Sequence, residues 1–192
     1  YPFGRGCRYV LIFDNHNSVN GIREYANAKG ANVQYIPVVL PDMRVDETVL
    51  FNELNSSDRG CFNLFAFPAQ SNFSGVQHPL TWIKKAQALG WDVLLDAAAF
   101  TATNRLDLSQ WKPDFVPLSF YKMFGYPTGV GILLARKDAI RKLHRSWFAG
   151  GTTTVTSIRG GKYYPAKAPA CFEDGTVDFL NIPAAEIGLR HL

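Results

Sequence analysis

Cysteine is scarce in this sequence of 192 residues, and the few cysteines present lie far apart. They are Cys7, Cys61 and Cys171, an odd number without Cys-x-x-Cys spacing. Their placement supports neither a disulfide framework nor a zinc site, and we expect no bound metal. Free thiols are typical of reducing compartments, so we expect a cytoplasmic protein.

Long apolar runs are also missing. No apolar segment is long enough to cross a bilayer, so we expect no membrane span. No signal peptide opens the sequence. The first residue is Tyr1 rather than methionine, which leads us to expect a longer parent chain.

A strong charge of one sign is absent as well. Lys and Arg number 20 and Asp and Glu 16, which gives a net charge of +4. The densest basic cluster, residues 136–145, alternates with apolar residues as a solvated helix face does, so nucleic-acid binding is not supported. Hydrophobic residues make up 47% of the sequence, as in globular proteins. The composition excludes disorder, collagen and coiled coil, and the length predicts about one domain.

Apolar, β-rich runs alternate with helix-like stretches along the sequence. The predicted strands are residues 9–13, 33–40, 62–67, 93–95, 115–119 and 131–135, and the predicted helices are 18–29, 46–54, 79–89, 137–147 and 179–192. A hydroxyl-rich loop is expected over 148–156. Several strands lack polar alternation, as strands buried on both faces do. This order predicts an α/β fold, a mostly parallel sheet with helices on both faces.

Polar side chains follow several of these strands. They are residues 14–18 after the first strand, 70–72 after the third, Asp96 after the fourth, and Ser119, Tyr121 and Lys122 after the fifth. In open α/β sheets, ligands bind at the carboxyl ends of the strands. We therefore expect these side chains to converge on one edge of the sheet and to form a binding site.

Two of them can be explained in either a structural or a chemical way. Lys122 lies among aromatic and apolar neighbours, where a lysine either extends to solvent or is held in a pocket as a nucleophile. Asp96 ends an apolar strand and precedes three alanines. It is either a helix N-cap or the counter-ion of a protonated ring nitrogen, with room left for a flat cofactor.

The other polar residues are equally open to two interpretations. His16 is either a hydrogen-bonded loop residue or an imidazole stacked on a cofactor ring. Asn72 either forms a turn or donates a hydrogen bond to a phenolic oxygen. Gly150, Gly151 and Thr152 form either a plain turn or a phosphate-binding element.

Taken together, these residues resemble the class V aminotransferase and cysteine desulfurase family, fold-type I enzymes that use pyridoxal 5′-phosphate (PLP). The closer resemblance is to the PLP domain of the molybdenum cofactor sulfurase subgroup. It rests on FAFPAQSNFSG at 65–75, LLDAA at 94–98, SFYKMFGYPTG at 119–129 and FEDGT at 172–176. The similarity extends through nearly the whole chain, and the lysine and asparagine segments are its specific parts.

The resemblance implies a role for each residue of the predicted site. Lys122 would bond covalently to PLP, Asp96 would pair with its ring nitrogen, His16 would stack on the ring, and Asn72 would bind its 3-oxygen. Ser119 and Tyr121 would hold the phosphate, and Gly151 and Thr152 would reach the phosphate of the neighbouring subunit of a homodimer. Lys122, His16 and Asp96 would be the catalytic residues. The implied substrate is an amino acid, L-cysteine, with the molybdenum cofactor as sulfur acceptor.

The sequence also departs from the family pattern. Ala99 stands where many desulfurases carry a glutamine, and Tyr121 stands where many relatives have histidine. Residues 1–192 are expected to form an incomplete PLP-binding large domain, without the amino-terminal phosphate loop or the carboxyl-terminal small domain. By context, no cysteine matches the persulfide position, so we expect structural roles for all three.

Three functions remain open at this point. The first is a PLP-dependent cysteine desulfurase of the molybdenum cofactor sulfurase type, which gives alanine and a persulfide. The second is another class V enzyme, an aminotransferase, lyase or epimerase. The third is a degenerate PLP scaffold that acts as a binding module.

Overall fold

A six-stranded sheet forms the centre of the computed structural model, which describes residues 1–56 and 60–192. The strands of that part of the chain are β1 (Arg8–Ile12), β2 (Asn32–Ile36), β3 (Val38–Val39), β4 (Arg44–Val45), β5 (Leu64–Pro68), β6 (Asp92–Asp96), β7 (Phe115–Ser119), β8 (Gly131–Ala135), β9 (Thr153–Thr156) and β10 (Tyr163–Pro165). The sheet has the order β2-β1-β5-β6-β7-β8. Its strands are parallel except β8, which pairs antiparallel with β7. The predicted, mostly parallel α/β sheet is confirmed.

Helices cover both faces of this sheet. They are α1 (Asn17–Asn20), α2 (Ile22–Ala28), α3 (Glu47–Asn55), α4 (Thr81–Ala88), α5 (Phe120–Phe124), α6 (Lys137–Ile140) and α7 (Ile182–His191). Within the described ranges, each helix falls short of the length and hydropathy needed to cross a bilayer.

Alternate residues of β1 pack into two separate hydrophobic layers. Val10 and Ile12 join a core that includes residues of α3 and α4, among them Leu50, Leu54, Trp82 and Ile83. Tyr9 and Leu11 join the opposite core with Val19 and Ala26 from α1 and α2. Because side chains alternate along a strand, covering both faces requires a continuous apolar run, as β1 shows.

Tyr9 shows how this packing fixes the chain beyond β1. Its hydroxyl donates a hydrogen bond to the carbonyl oxygen of Val19 at 2.8 Å. Burial raises the pKa of Tyr9 well above its ordinary value, so the hydroxyl stays a donor. The bond secures α1 against the sheet, and the loop between β1 and α1 contains His16.

Several predicted elements differ from the observed ones. The strand predicted over 33–40 is divided into β2 and β3, because Pro37 has no N–H for the sheet and β3 pairs with β4 instead. Part of the loop predicted over 148–156 is strand β9, a β-branched run that pairs antiparallel with β10.

The helix predicted over 137–147 is also wrong beyond its first turn. Only α6, Lys137–Ile140, is helical. The side chains that follow make tertiary contacts: Lys142 binds the carboxylate of Asp92, and Arg145 binds Asp174 and the carbonyl oxygen of Cys171. These contacts compete with continuation of the helix, and local periodicity does not reveal them.

Candidate active site

The carboxyl ends of β5 and β6 lie side by side at one edge of the sheet. Pro68, the last residue of β5, is paired with Asp96, the last residue of β6. The backbone N–H of Ala69 donates to the carbonyl oxygen of Asp96 at 2.8 Å, so the pairing continues into the loop after β5. This register places the loop that carries Asn72 beside Asp96.

Asp96 is buried, with 8% of its surface exposed. Its Oδ1 accepts a hydrogen bond from the backbone N–H of Ala98 at 3.1 Å, which forms a turn after β6. The helix N-cap interpretation is wrong, because the next helical turn begins only at Phe100 and Ala99 is at its N-cap position. Oδ2 has no hydrogen-bond partner in residues 1–56 and 60–192, and it is not sealed from solvent. Ala97 to Ala99 add little bulk beside it. The carboxylate therefore has one oxygen left for a ligand.

Lys122 lies in α5, directly after β7, and contacts Asn72. Its Nζ donates a hydrogen bond to Oδ1 of Asn72 at 2.8 Å. Lys122 is half-buried, so the amine is held against the loop after β5. Nδ2 of Asn72 has no partner in the described part of the chain and stays free to donate to a ligand oxygen.

The loop around Asn72 is organised by its neighbour Ser71. The buried Oγ of Ser71 accepts hydrogen bonds from the backbone N–H groups of Phe73 and Ser74, at 3.3 and 3.2 Å. Both the turn-forming and the ligand-binding interpretations of this segment are therefore compatible with its geometry. Ser71 forms the turn, and Asn72 extends from it towards Lys122.

His16 is exposed and occupies the N-cap position of α1. Its Nδ1 accepts a hydrogen bond from the backbone N–H of Ser18 at 3.2 Å and lies 2.9 Å from the Ser18 hydroxyl. An accepting Nδ1 leaves the proton of the neutral ring on Nε2. The hydrogen bond to Nδ1 fixes the orientation of the imidazole, while the faces of the ring stay exposed. Stacking of His16 on a cofactor stays a prediction.

Ser119 and Tyr121 lie on either side of the start of α5. Ser119 is the last residue of β7 and stands at the N-cap position without a capping hydrogen bond from its side chain. Tyr121 is 46% exposed. Neither hydroxyl makes a hydrogen bond within residues 1–56 and 60–192. The phosphate role that the resemblance implies for them stays a prediction.

Gly151 and Thr152 form a turn that no hydrogen bond in the described ranges connects to the other predicted site residues. Gly151 has a φ of +84°, a conformation that favours glycine. The hydroxyl of the buried Thr152 accepts from the backbone N–H of Ala149 and donates to the Ala149 carbonyl oxygen. The Gly175 N–H bonds to the carbonyl of Gly150. Their predicted role across a homodimer interface stays a prediction.

Sequence reasoning assigned no role to a buried pair next to this edge, Asp14 and His78. Nε2 of His78 lies 3.0 and 3.3 Å from the two carboxylate oxygens of Asp14. In the sequence, Asp14 is notable only as a polar residue that follows a predicted strand, and no pattern in the sequence draws attention to His78. The two are 64 positions apart, and no local pattern connects them.

The helix that carries Lys122 is packed against α7 at a glycine. A Cβ added at Gly188 would lie 2.5 to 2.6 Å from ring carbons of Phe124 at the end of α5. Phe124 stacks on the buried Phe120, with ring centroids 6.0 Å apart. The absence of a side chain at Gly188 therefore lets α7 support α5.

Gly188→Ala should destabilise the protein, although helix propensity alone favours alanine by about 1 kcal/mol. We expect a net loss of about 1–2 kcal/mol, because the clash with Phe124 overpacks the contact. Thermal unfolding of Gly188→Ala and of Gly188→Ala/Phe124→Leu measures this. The double variant should recover most of the loss. A higher Tm for the single variant would show that Phe124 moves at no cost.

Comparison with known proteins places this chain in a family. Residues 3–192 match the family described as aminotransferase class-V. Human (Homo sapiens) molybdenum cofactor sulfurase is 40% identical over 203 residues, which cover 100% of this chain and 22% of that protein. The chain thus spans less than a quarter of the length of that relative.

Two solved structures share the fold. The cysteine desulfurase CsdA from Escherichia coli superposes with a TM-score of 0.84 at 22% identity, covering 100% of this chain and 46% of that one. A C-DES mutant with glycine covalently linked to the PLP cofactor has a TM-score of 0.78 at 19% identity, covering 99% and 50%. Since the family match extends over almost every residue and the fold agrees, this chain belongs to the class-V aminotransferase family.

Proposed function

We propose that this chain is the PLP-binding part of a cysteine desulfurase of the molybdenum cofactor sulfurase type. Such an enzyme transfers the sulfur of L-cysteine to an acceptor cysteine thiol, which gives alanine and a persulfide. The observation that carries the proposal is the contact between Lys122 and Asn72 beside the buried carboxylate of Asp96. An amine, an amide and a carboxylate thus lie on three adjacent segments at the ligand-binding edge of a parallel sheet. The similarity to human molybdenum cofactor sulfurase supports the choice of sulfur transfer over the other reactions of the family.

The residues present fit PLP. Oδ2 of Asp96 and Nδ2 of Asn72 are both unpaired in the described residues. We expect Oδ2 to bind the ring nitrogen and Nδ2 to bind a ring oxygen. The three alanines after Asp96 leave space for a flat ring. PLP, when bound, supplies an electron sink for the substrate α-carbon.

The chain's own residues then hold the ligands and move protons. We expect the Lys122 amine, which is hydrogen-bonded to Asn72, to bind the cofactor and to transfer a proton at the substrate α-carbon. The Asp96 carboxylate favours a protonated partner opposite its free oxygen. His16, capped through Nδ1, presents its ring from the loop after β1. The sulfur goes to the molybdenum cofactor.

A second candidate is a C–S lyase of the same family. Cys7 and Cys61 precede β1 and β5, at the sheet edge opposite Asp96, and Cys171 lies beside Arg145. In the described ranges, no cysteine is therefore placed next to Lys122 to take up sulfur. A lyase that releases a persulfide product needs no such cysteine.

Reductive labelling tests the proposal. The 192-residue chain is mixed with PLP, reduced with borohydride and mapped by mass spectrometry, and we expect a pyridoxyl group on Lys122. Alanine formed from L-cysteine would then indicate desulfurase chemistry, whereas pyruvate formed from cystine would indicate the lyase. An adduct only on a form of the protein extended at both ends would show that the 192 residues need further segments to bind PLP. No adduct on either form would contradict both candidates and favour the degenerate scaffold.

A further inference from the structure

Asp14 and His78 form a buried polar pair beneath two loops of the candidate site. Their side chains are 1% and 2% exposed, and Nε2 of His78 lies 3.0 Å from Oδ2 of Asp14. Since an ionised carboxylate only accepts, the imidazole N–H is the donor. Burying such a pair is costly unless its geometry is well satisfied. A well-aligned buried pair that joins two loops is suited to a positioning role.

His78 is fixed by contacts with the end of β5 and with α4. Its backbone N–H donates to the carbonyl oxygen of Ala69, just beyond β5, at 3.0 Å. Its ring stacks on Trp82 of α4, with centroids 5.4 Å apart and an interplanar angle of 28°. Trp82 is itself fixed by a 3.0 Å hydrogen bond from Nε1 to Glu47 of α3. The imidazole is thus a rigid anchor for Asp14.

Asp14 belongs to the other loop, two residues before His16. The next residue, Asn15, ties this loop to the sheet, since Nδ2 donates to the carbonyl oxygens of Ile12 and Ala66 at 2.8 and 3.1 Å. The position of His16 is therefore set by Asp14 and Asn15 together.

A second bond joins the two loops directly. The hydroxyl of Ser71 lies 3.5 Å from the carbonyl oxygen of Asp14. The hydroxyl oxygen of Ser71 also accepts the two backbone hydrogen bonds that form the turn around Asn72. Asn72 in turn accepts from Lys122. A continuous set of contacts therefore runs from His78 through Asp14 and Ser71 to the amine.

We propose that Asp14 and His78 are positioning residues, whose hydrogen bond locks the loop carrying His16 against the loop carrying Asn72. The consequence for the reaction rests on the proposed function, whereas the coupling between the loops is a property of the chain alone. Neither residue contacts Lys122 itself, so both act through other residues.

Amide hydrogen exchange on the cofactor-free chain tests the coupling. In His78→Ala and Asp14→Ala we expect about tenfold faster exchange in both loops, residues 14–20 and 70–76, because one buried charged hydrogen bond is lost. His78→Gln and Asp14→Asn keep a donor and an acceptor in place and should restore slow exchange. Lys142→Met is the control, because it breaks a partly buried ion pair with Asp92 at the amino-terminal end of β6, the sheet edge away from both loops.

A double variant protects the test against unfolding. Asp14→Leu/His78→Leu replaces both polar groups, so the core stays apolar while the link is lost. Faster exchange in the two loops, with other segments unchanged, would support the proposal. Unchanged exchange in both loops would overturn it.

A second test measures the circular dichroism of bound PLP and the affinity of the protein for PLP. We expect His78→Ala to weaken cofactor retention about tenfold and to alter the dichroic band, and His78→Gln to rescue both. If wild type binds no PLP in either form, the proposed function fails while hydrogen exchange still decides the coupling. If wild type binds PLP and His78→Ala behaves identically, the positioning role fails and the proposed function stands.

Discussion

Replacing Lys122 with alanine should abolish borohydride-dependent labelling by PLP and leave the fold intact. The amine is the group that the proposed function requires for covalent attachment, and the structure places it within 2.8 Å of Asn72. Because Lys122 is only half-buried, its loss removes little packing, and we expect the Tm to stay close to that of the wild type. Mass spectrometry of the reduced protein measures the adduct.

Lys112→Ala is the matched control for this experiment. Lys112 is exposed and lies just before β7, at the end opposite Lys122. Its removal should leave labelling unchanged. A Lys122→Ala variant that forms the reducible adduct at an equal rate would place the attachment site elsewhere. The turnover rate of Lys122→Ala should fall by about 10²–10⁴-fold, which is the usual contribution of a general acid–base group.

Asp96→Ala should weaken cofactor binding and stop turnover. The carboxylate is buried and leaves Oδ2 unpaired in the described residues, so the ligand that it pairs with loses its counter-charge. We expect a fall of about 10²–10³-fold in alanine formation from L-cysteine, as for removal of one fixed electrostatic partner. Absorbance of bound PLP and the rate of alanine release measure the two effects.

Asp96→Asn separates the charge of residue 96 from the hydrogen bond that forms the turn. Asparagine keeps an oxygen that accepts from the Ala98 N–H, so the turn after β6 should persist and the Tm should change little. Loss of turnover in this variant would therefore reflect charge. Asp92→Asn, at the first position of the same strand, is the control. Full activity in Asp96→Asn would contradict the counter-ion role.

Strands β5, β6 and β7 could be predicted well because their signal is local. A parallel strand covered on both faces needs apolar side chains on both, and residues 93–95 and 115–119 show that pattern directly. The site residues at the ends of these strands follow from the same rule. The edge that carries Asp96 was therefore predictable before any contact was known.

The extent of α6 and the division of the second predicted strand were not predictable in this way. Residues after Ile140 are drawn into tertiary contacts with Asp92 and Asp174, which override an amphipathic pattern. Strand β3 leaves the main sheet because a partner, β4, competes for its backbone. The end of α6 depends on groups 29 to 50 positions away, whereas the division of the strand depends on Pro37 and on a hairpin partner within seven positions.

Local pattern thus sufficed for the α/β class, the strand ends and the identity of the polar residues there. The hydrogen bond between Asn72 and Lys122 spans 50 positions, and the pair of Asp14 and His78 spans 64. Such pairings were decided by the packing of β1, β5 and α4 around a common core. The physical reason is that periodicity records which face of an element is buried, whereas the partner of a buried polar group depends on where the folded chain brings the other element.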